Sequence, residues 1–217
     1  MSARTRMGAA ALLLLGLVVA VGARAQGIYA IEIVVFERLD PSDLAAETWP
    51  ETPQRVATEG LVDLTSGGGA FTALSPGARA LHGVWAELRR AGNLRPVAHL
   101  AWSQPGWSSG RARAGRVRIQ GTGGETLLEG TLRLHRSRYL HLTTDLVFTP
   151  PGAPGGGYRL AERRQMRSRE LHYIDHPAFG LLVMARPWGT TRDDEPPPAD
   201  SDEPAARPTP LPSATSG

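Results

Sequence analysis

The stretch Ile28-Tyr-Ala-Ile-Glu-Ile-Val-Val-Phe36 decides the fold class, because it is dense in β-branched and aromatic residues and contains a single acid. Such residues favour strands, and a long apolar run is typical of a strand that is buried on both faces. We therefore predict a central strand here, around which the rest of a sheet is assembled.

An amphipathic helix and a second strand are expected downstream. Ser75-Pro76 provides an N-cap followed by proline at the first helical position, and Gly92-Asn93 can end the helix. The apolar stripe of this helix consists of Leu81, Val84, Trp85 and Leu88. Residues 94–103 follow as a strand, with Pro96 near its beginning or at an edge.

The chain beyond residue 125 alternates with period two, which predicts an antiparallel meander. Leu128, Leu132 and Leu134 share one strand face, and Ser137-Arg138 lies where a tight hairpin turns. Two further strands (158–169 and 170–174) and a buried run (179–185) complete the pattern. The predicted class is α+β: a mainly antiparallel β-sheet with one main amphipathic helix packed on one face and a largely polar second side.

Both ends of the chain differ from this core. Residues 1–25 contain Arg4 and Arg6, an apolar run and Ala23-Arg24-Ala25, the pattern of a signal peptide that is cleaved after Ala25. The run does not exceed the ~17 residues that a membrane-spanning helix needs, so we expect no membrane span in the mature chain. Residues 190–217 are predicted to be a disordered, Pro-rich acidic tail, which leaves 26–189 as a single α+β domain.

Composition excludes several kinds of chemistry. The chain has no cysteine, which rules out disulfides, thiol catalysis and thiolate metal sites. All 24 basic residues are arginine, and the absence of lysine rules out Ser-x-x-Lys chemistry. Residues 111–189 hold 13 arginines against 6 acidic residues. This excess indicates either attraction to anionic partners or a solvated arginine face, and nucleic acid is not expected for an exported protein.

Several segments in a fixed order resemble a known family. They are Tyr29-Ala-Ile-Glu-Ile-Val-Val-Phe36, Leu74-Ser-Pro, Ala98-His-Leu-Ala-Trp102-Ser-Gln-Pro105, the stretch 130–141, and Met166-Arg-Ser-Arg-Glu170-Leu-His-Tyr173-Ile-Asp-His176-Pro. Together they are similar to the CsiV family of exported peptidoglycan-binding proteins over most of 28–187. The resemblance implies a Gram-negative periplasmic protein that binds peptidoglycan. It also implies support of a bifunctional penicillin-binding synthase, together with that enzyme's outer-membrane lipoprotein activator. The stretch 50–73 and the tail lie outside the resemblance.

Two patterns invite a catalytic or metal-binding interpretation. Gly106-Trp-Ser108-Ser-Gly110 fits the G-x-S-x-G elbow of hydrolases, but that motif needs a following helix, and the next residues carry no apolar helical stripe. His172 and His176 have metal-ligand chemistry, yet Pro177 favours extended geometry, which separates them by ~13 Å. We therefore expect neither catalytic residues nor a metal or other cofactor.

The segment around these histidines is interpreted as a structural corner instead. Its side chains hydrogen-bond to neighbours at a strand end and define the most distinctive part of the family motif. The motif residues are Glu170, His172, Tyr173, Asp175 and His176.

The candidate binding residues are Trp107, Arg111, Arg113, Arg116 and Arg118. An indole can stack on a sugar, and guanidinium groups can bind carboxylates through two parallel hydrogen bonds. The alternative is a mobile loop whose arginines only keep it soluble. Our first hypothesis is a non-catalytic periplasmic peptidoglycan-binding protein that supports wall synthesis. The second is a protein adaptor that docks through an exposed sheet edge and does not bind glycan, and the third is a wall hydrolase.

Overall fold

The computed structural model describes residues 27–40, 42–45, 48–49, 55–153, 155 and 157–189, so the predicted signal peptide and tail lie outside the described residues. The strands are β1 (Ile28–Arg38), β2 (Thr72–Ala73), β3 (Leu94–Pro105), β4 (Gly115–Gln120), β5 (Thr126–Arg136), β6 (Leu140–Phe148), β7 (Tyr158–Met166), β8 (Leu171–Asp175) and β9 (Phe179–Trp188). The helices are α1 (Ser42–Ala45), a 3₁₀ turn (Pro76–Ala78) and α2 (His82–Leu88). Within these ranges no helix has the length and apolarity to cross a bilayer.

The strands form two antiparallel sheets. The five-stranded sheet has the order β2-β3-β1-β9-β8, and the four-stranded sheet has the order β4-β5-β6-β7. The predicted α+β class with a mainly antiparallel architecture is confirmed. The meander does not extend the sheet of β1, however; it forms a second sheet whose leucines pack against the first, because this buries both apolar faces in one core.

β1 is the central strand of the five-stranded sheet and is buried on both faces, as predicted. Ile31, Ile33 and Val35 join the core between the sheets. Val34 and Phe36 point the other way and pack against α2. The two faces of β1 are therefore buried against different parts of the protein. This explains why apolar residues occupy consecutive positions instead of alternating with polar ones.

The core between the sheets takes one face of each. The four-stranded sheet contributes Leu128, Leu132, Leu134, Leu142 and Leu146, all essentially inaccessible to solvent. Trp102 from the five-stranded sheet is buried among them and donates from Nε1 to Gln104 Oε1 at 2.9 Å. Gln104 in turn donates to the carbonyl of Leu134 at 3.2 Å, so a buried hydrogen bond joins the two sheets.

The helix begins later than its sequence pattern predicts. Ser75-Pro76 starts only a 3₁₀ turn, in which Ser75 makes no side-chain cap hydrogen bond, and α2 begins at His82. The predicted stripe is confirmed: Leu81 and Leu88 are buried, and Val84 and Trp85 pack beside them.

A carboxylate from β1 satisfies the backbone amides just before α2. Glu32, 2% exposed, accepts hydrogen bonds from the amides of Ala80 at 2.6 Å and Leu81 at 3.1 Å. His99 Nε2 lies 3.2 Å from the same carboxylate. Burial alone would raise the pKa of Glu32, but the hydrogen bonds from His99, Ala80 and Leu81 together outweigh it and lower that pKa. The carboxylate of Glu32 on the central strand thus takes the place of a helix N-cap side chain from a neighbouring residue.

Candidate functional site

Two of the predicted binding arginines lie on a sheet and not in a loop. Arg116 and Arg118 belong to β4, where they alternate with the buried Val117 and therefore face outward from the four-stranded sheet. The rows across this outer face read Arg118, Glu129, Val147, Arg159 and then Arg116, Thr131, Asp145, Ala161. The next row along β5 aligns Arg133 with Thr143 and Arg163.

The structure adds three arginines that sequence reasoning missed. Arg133, Arg159 and Arg163 point to the same side as Arg116 and Arg118, and we call these five residues the arginine face. The strand alternation contained the signal: Arg133 lies between the buried Leu132 and Leu134. What the sequence did not reveal is that β4 and β7 flank this strand pair and bring their arginines into the same surface.

The arginine face is only partly neutralised by acids. Asp145 holds Arg159 through two hydrogen bonds of 2.8 and 2.9 Å, and Asp63 lies 3.4 Å from Arg116. The other contacts are no shorter than that of Arg116: Arg118 lies 3.6 Å from Glu129, and Arg163 lies 3.4 Å from the ring of His135. Both Arg118 and Arg163 are exposed. Among the described residues Arg118 pairs with a carboxylate only at 3.6 Å and Arg163 with none, so these two exposed arginines are the most available to an external anion.

Arg133 connects this face to the predicted binding loop. Its guanidinium donates to the carbonyl of Ala112 at 3.1 Å and also to that of Ser109. The segment between these carbonyls is therefore held against the edge of the sheet face. Arg111 lies within this segment and Arg113 directly after it, and both are exposed. The structure thus places the two loop arginines next to the arginine face.

Trp107 lies at the start of the same loop and is half-buried. Its ring packs edge-to-face on Phe71, with centroids 5.4 Å apart, at the margin of the core. Its carbonyl accepts the amide of Arg136 at 2.7 Å. Trp107 therefore anchors the loop, a role that the sequence did not indicate because Phe71 belongs to a stretch without readable periodicity.

A cavity of about 630 Å³ borders the arginine face. It lies between residues 55–59 and the outer side of β5 and β6, and Glu129, the contact of Arg118, forms part of its wall. Its lining mixes charged and apolar groups, including Arg55, Glu59 and Val147. Such a recess can hold a polar, sugar-sized ligand beside the arginines.

Two stacked histidines complete the face. The rings of His135 and His141 lie 4.7 Å apart and nearly parallel. Burial, followed by the nearby charges of His141, Arg163 and Arg133, lowers the pKa of His135. The neutral form of the His135 ring is therefore favoured at neutral pH.

Ser108 does not have the setting of a hydrolase nucleophile. It is exposed, and its carbonyl accepts the amides of Arg111 and Ala112 in a turn. The chain then enters β4, so a strand follows where the elbow motif needs a helix.

The family-motif residues form a network around β8. Tyr173 donates to Asp175, which also pairs with Arg38 at 3.1 Å, and His172 Nε2 accepts the amide of Arg167 at 3.1 Å. Glu170 lies 3.7 Å from Arg167.

His176 ends this segment among aromatic rings. Its Nδ1 accepts the amide of Ala178 at 3.1 Å, and its ring lies 4.9 Å from that of Phe179. Burial lowers the pKa of His176, against an opposing effect of Asp175. Among the described residues, no three His, Asp or Glu side chains gather in a group that could hold a metal ion.

Comparison with known proteins gives one match. The family model described as "Peptidoglycan-binding protein, CsiV" matches residues 8–188, which include every strand of both sheets. No curated protein and no solved structure matches the chain.

Proposed function

The chain belongs to the CsiV family of peptidoglycan-binding proteins, and from this premise we propose that it binds peptidoglycan in the periplasm without catalysing a reaction. Its binding surface is the arginine face together with the adjoining loop of Trp107, Arg111 and Arg113. The observation that carries this placement is the alignment of five arginines on one open sheet face.

The chemistry of this surface fits the polymer. Peptidoglycan combines sugar hydroxyls with stem-peptide carboxylates, and guanidinium groups bind carboxylates in a bidentate manner. Thr131 and Thr143 lie between the arginines and can hydrogen-bond to hydroxyls. An extended sheet face can contact a long glycan strand, whereas a deep catalytic cleft would have to enclose the scissile bond. The surface therefore favours binding over hydrolysis.

Co-sedimentation with isolated sacculi tests this proposal. The double variant Arg118→Gln/Arg163→Gln removes the two exposed arginines of the face that no close carboxylate neutralises, and Arg111→Ala/Arg113→Ala removes the two loop arginines. A matched control is Arg89→Gln/Arg90→Gln, which makes the same charge change at exposed positions after α2, on the other side of the five-stranded sheet. All three pairs are exposed, so we expect the folded state to persist in each variant.

We expect the wild type and the control to sediment with sacculi and both site variants to be retained less. Raised ionic strength should weaken the binding of the wild type, since exposed charge pairs are screened. If the wild type stays in the supernatant, the function is wrong; if both site variants bind like the control, only the site is wrong. Release of soluble muropeptides by the purified protein would contradict the non-catalytic role.

The physiological role belongs to the same proposal. The family resemblance favours a protein that supports a bifunctional penicillin-binding synthase and its outer-membrane lipoprotein activator. Pull-down with the purified chain from a wall-free periplasmic and membrane extract, probed for these two proteins, tests the association. If neither protein is recovered, the result contradicts the partnership but not the binding of peptidoglycan.

An adaptor function is the second candidate, and the edge strand β8 favours it. Leu171 and Tyr173 are 46% and 40% exposed on this strand, which ends the order of the five-stranded sheet. Strand edges with exposed apolar side chains can pair with another chain. In the same pull-down, Leu171→Arg should abolish recovery of a partner that docks here while leaving sacculus binding unchanged. Unchanged recovery would contradict an adaptor site at β8.

A further inference from the structure

A small basic pocket lies at one end of the sandwich, outside the arginine face. It has a volume of about 200 Å³ and is formed where the β5–β6 turn and the β7–β8 connection meet the start of β1. The lining residues are Tyr29, Arg136, Arg138, Tyr139, Leu140, Met166, Arg167 and Ser168.

The pocket combines an apolar floor with a charged rim. Leu140 and Met166 are 3% and 1% exposed, so the floor is part of the core surface. Three arginines are among its lining residues: Arg136, Arg138 and Arg167. A small ligand that carries both a methyl-sized group and an anion matches this arrangement.

Two of the rim arginines are oriented by aromatic rings. The guanidinium of Arg136 lies 5.8 Å from the ring centre of Tyr29, and that of Arg138 lies 5.7 Å from the ring centre of Tyr139. Cation–π contacts of this kind place a guanidinium without using its hydrogen-bond donors. Within the described part of the chain neither arginine forms an ion pair, so their donors remain available to an anion.

The family-motif residues hold the third arginine. His172 Nε2 accepts the backbone amide of Arg167, and Glu170 lies 3.7 Å from the Arg167 guanidinium. The side chain of Arg167 is 70% exposed. The contacts of the motif thus position Arg167 beside the pocket. The binding loop reaches the same place, because Arg136 donates its amide to Trp107 and Gly106 lies against the ring of Tyr29.

We propose that this pocket binds the carboxylate end of a peptidoglycan stem peptide, an inference that rests on the proposed function. The carboxylate is bound by Arg136, Arg138 and Arg167, and the small side chain next to it contacts Leu140 and Met166. The volume decides the size of the ligand: drug-sized ligands occupy roughly 300–1,000 Å³, so this pocket takes a terminal group and not a disaccharide. The glycan strand then extends along the loop towards the arginine face.

Calorimetric titration of the mature full chain with soluble probes tests this assignment. The probes are a muramyl pentapeptide with free carboxylates, the same compound with every carboxylate converted to a carboxamide, and inorganic phosphate. The variants are Arg136→Gln/Arg138→Gln and Arg167→Gln, with Arg89→Gln/Arg90→Gln as the control. Circular dichroism melting checks that each variant is folded, and Arg167→Gln serves alone if the double variant does not fold.

We expect the free-carboxylate probe to bind the wild type and the control, and to bind either site variant about tenfold more weakly or worse, because charge-assisted hydrogen bonds are lost. The carboxamide probe should bind the wild type as weakly as the acid binds the variants. Any of four results would overturn the pocket assignment. The acid and the amide bind equally well, or folded site variants bind the acid as tightly as the wild type. Alternatively, the acid does not bind the wild type, or phosphate competes as strongly as the peptide.

Sacculus sedimentation of the wild type separates this failure from failure of the proposed function. A protein that sediments with sacculi but shows unchanged probe binding in the site variants binds the wall elsewhere. A protein that does not sediment fails on both counts.

Discussion

The two sheets of this protein use the same antiparallel pairing but differ in what lies on their outer sides. The five-stranded sheet has α2 on one face and the four-stranded sheet on the other, so its central strand is buried from Tyr29 to Phe36. The four-stranded sheet packs against the other sheet on its inner face, whereas its outer face carries the arginine face and the recess formed with residues 55–59. The difference is one of solvent access: β1 is enclosed from both sides, whereas the outer face of the meander keeps exposed arginines such as Arg118 and Arg163.

The two sheets also differ in the environment of their acidic side chains. The five-stranded sheet encloses Glu32 and satisfies it with two amides and His99. The four-stranded sheet leaves its acids in pairs such as Arg159 and Asp145, whose side chains are 39% and 29% exposed. Enclosed charges must be fully satisfied, whereas exposed pairs contribute little and can exchange partners.

The largest expected effect compares the two faces of β5. Leu132→Ala removes a fully buried side chain between the sheets, and the lost burial and the resulting cavity should cost about 2–5 kcal/mol of unfolding free energy. Thr131→Ala, one residue away on the outer face, should change it by no more than about 0.5 kcal/mol. Urea unfolding monitored by tryptophan fluorescence measures both. Similar losses in the two variants would mean that the outer face is also structural.

A smaller effect compares an enclosed acid with an exposed one. Glu32→Ala removes the acceptor of the Ala80 and Leu81 amides, and the buried amide of Leu81 should cost about 1–3 kcal/mol if it stays unsatisfied. Glu129→Ala on the outer face breaks a pair of 3.6 Å and should cost at most about 1 kcal/mol. Chemical denaturation at neutral pH gives both values. Equal costs would remove the distinction between the sheets.

Glu32 also predicts a pH dependence. Because its pKa is lowered in the folded protein, its carboxylate contributes stability above the unfolded value of about 4.5, and this contribution is lost as the pH falls through the folded value. Wild-type stability should therefore fall more steeply on acidification than that of Glu32→Ala. Parallel curves would contradict the lowered pKa.

A further prediction concerns two histidines, one from each sheet system. Burial lowers the pKa of both His135 and His176, but only His135 also faces repulsive charges, from His141, Arg163 and Arg133. Raised salt screens those charges, so the pKa of His135 should rise, whereas that of His176 should not, because Asp175 acts on it in the opposite direction. Proton NMR titration at low and high salt measures both. An equal rise in the two values would contradict different environments.

His176 should also make the free energy of unfolding pH-dependent. Its lowered pKa means that the unfolded chain takes up a proton near pH 6.5 while the folded chain does not. Stability is complete above that pH and decreases as the pH falls towards the folded value. His176→Asn, whose amide oxygen can still accept the amide of Ala178, should flatten this part of the curve. An unchanged slope would assign it to other groups.

Much of the fold could be predicted because the signals are local. The unbroken apolar run of β1, the leucine alternation of β5 and the stripe from Leu81 to Leu88 each express burial within a single element. The division into two sheets could not be predicted, since alternation shows which face is buried but not what covers it. The start of α2 was missed for a similar reason: the amide of Ala80 is satisfied by Glu32, 48 residues earlier in the sequence.

The candidate site shows the same limit. Arg116 and Arg118 were selected from a local cluster, but Arg163 shares their surface only because β7 pairs with β6. Trp107 lies in a loop, as predicted, but its packing on Phe71 could not be predicted because Phe71 lies in a stretch without periodicity. Local patterns predicted the charge of the surface, while its extent depended on long-range pairing.

The smallest expected effect is the coupling between Arg159 and Asp145, and it decides whether the arginine face is structural or free. The pair has good bidentate geometry, but both side chains are partly exposed, so a double-mutant cycle with Arg159→Gln and Asp145→Asn should give about 0.2–1 kcal/mol, and less at high salt. Urea unfolding of the four proteins at two salt concentrations measures the coupling. A coupling well above this range that resists salt would mean that the fold holds its arginines tightly, and a carboxylate ligand would then have to displace Asp145 at high cost. A weak, salt-sensitive coupling leaves Arg159 able to exchange Asp145 for an anion from the wall, which is the property that a binding surface on this sheet requires.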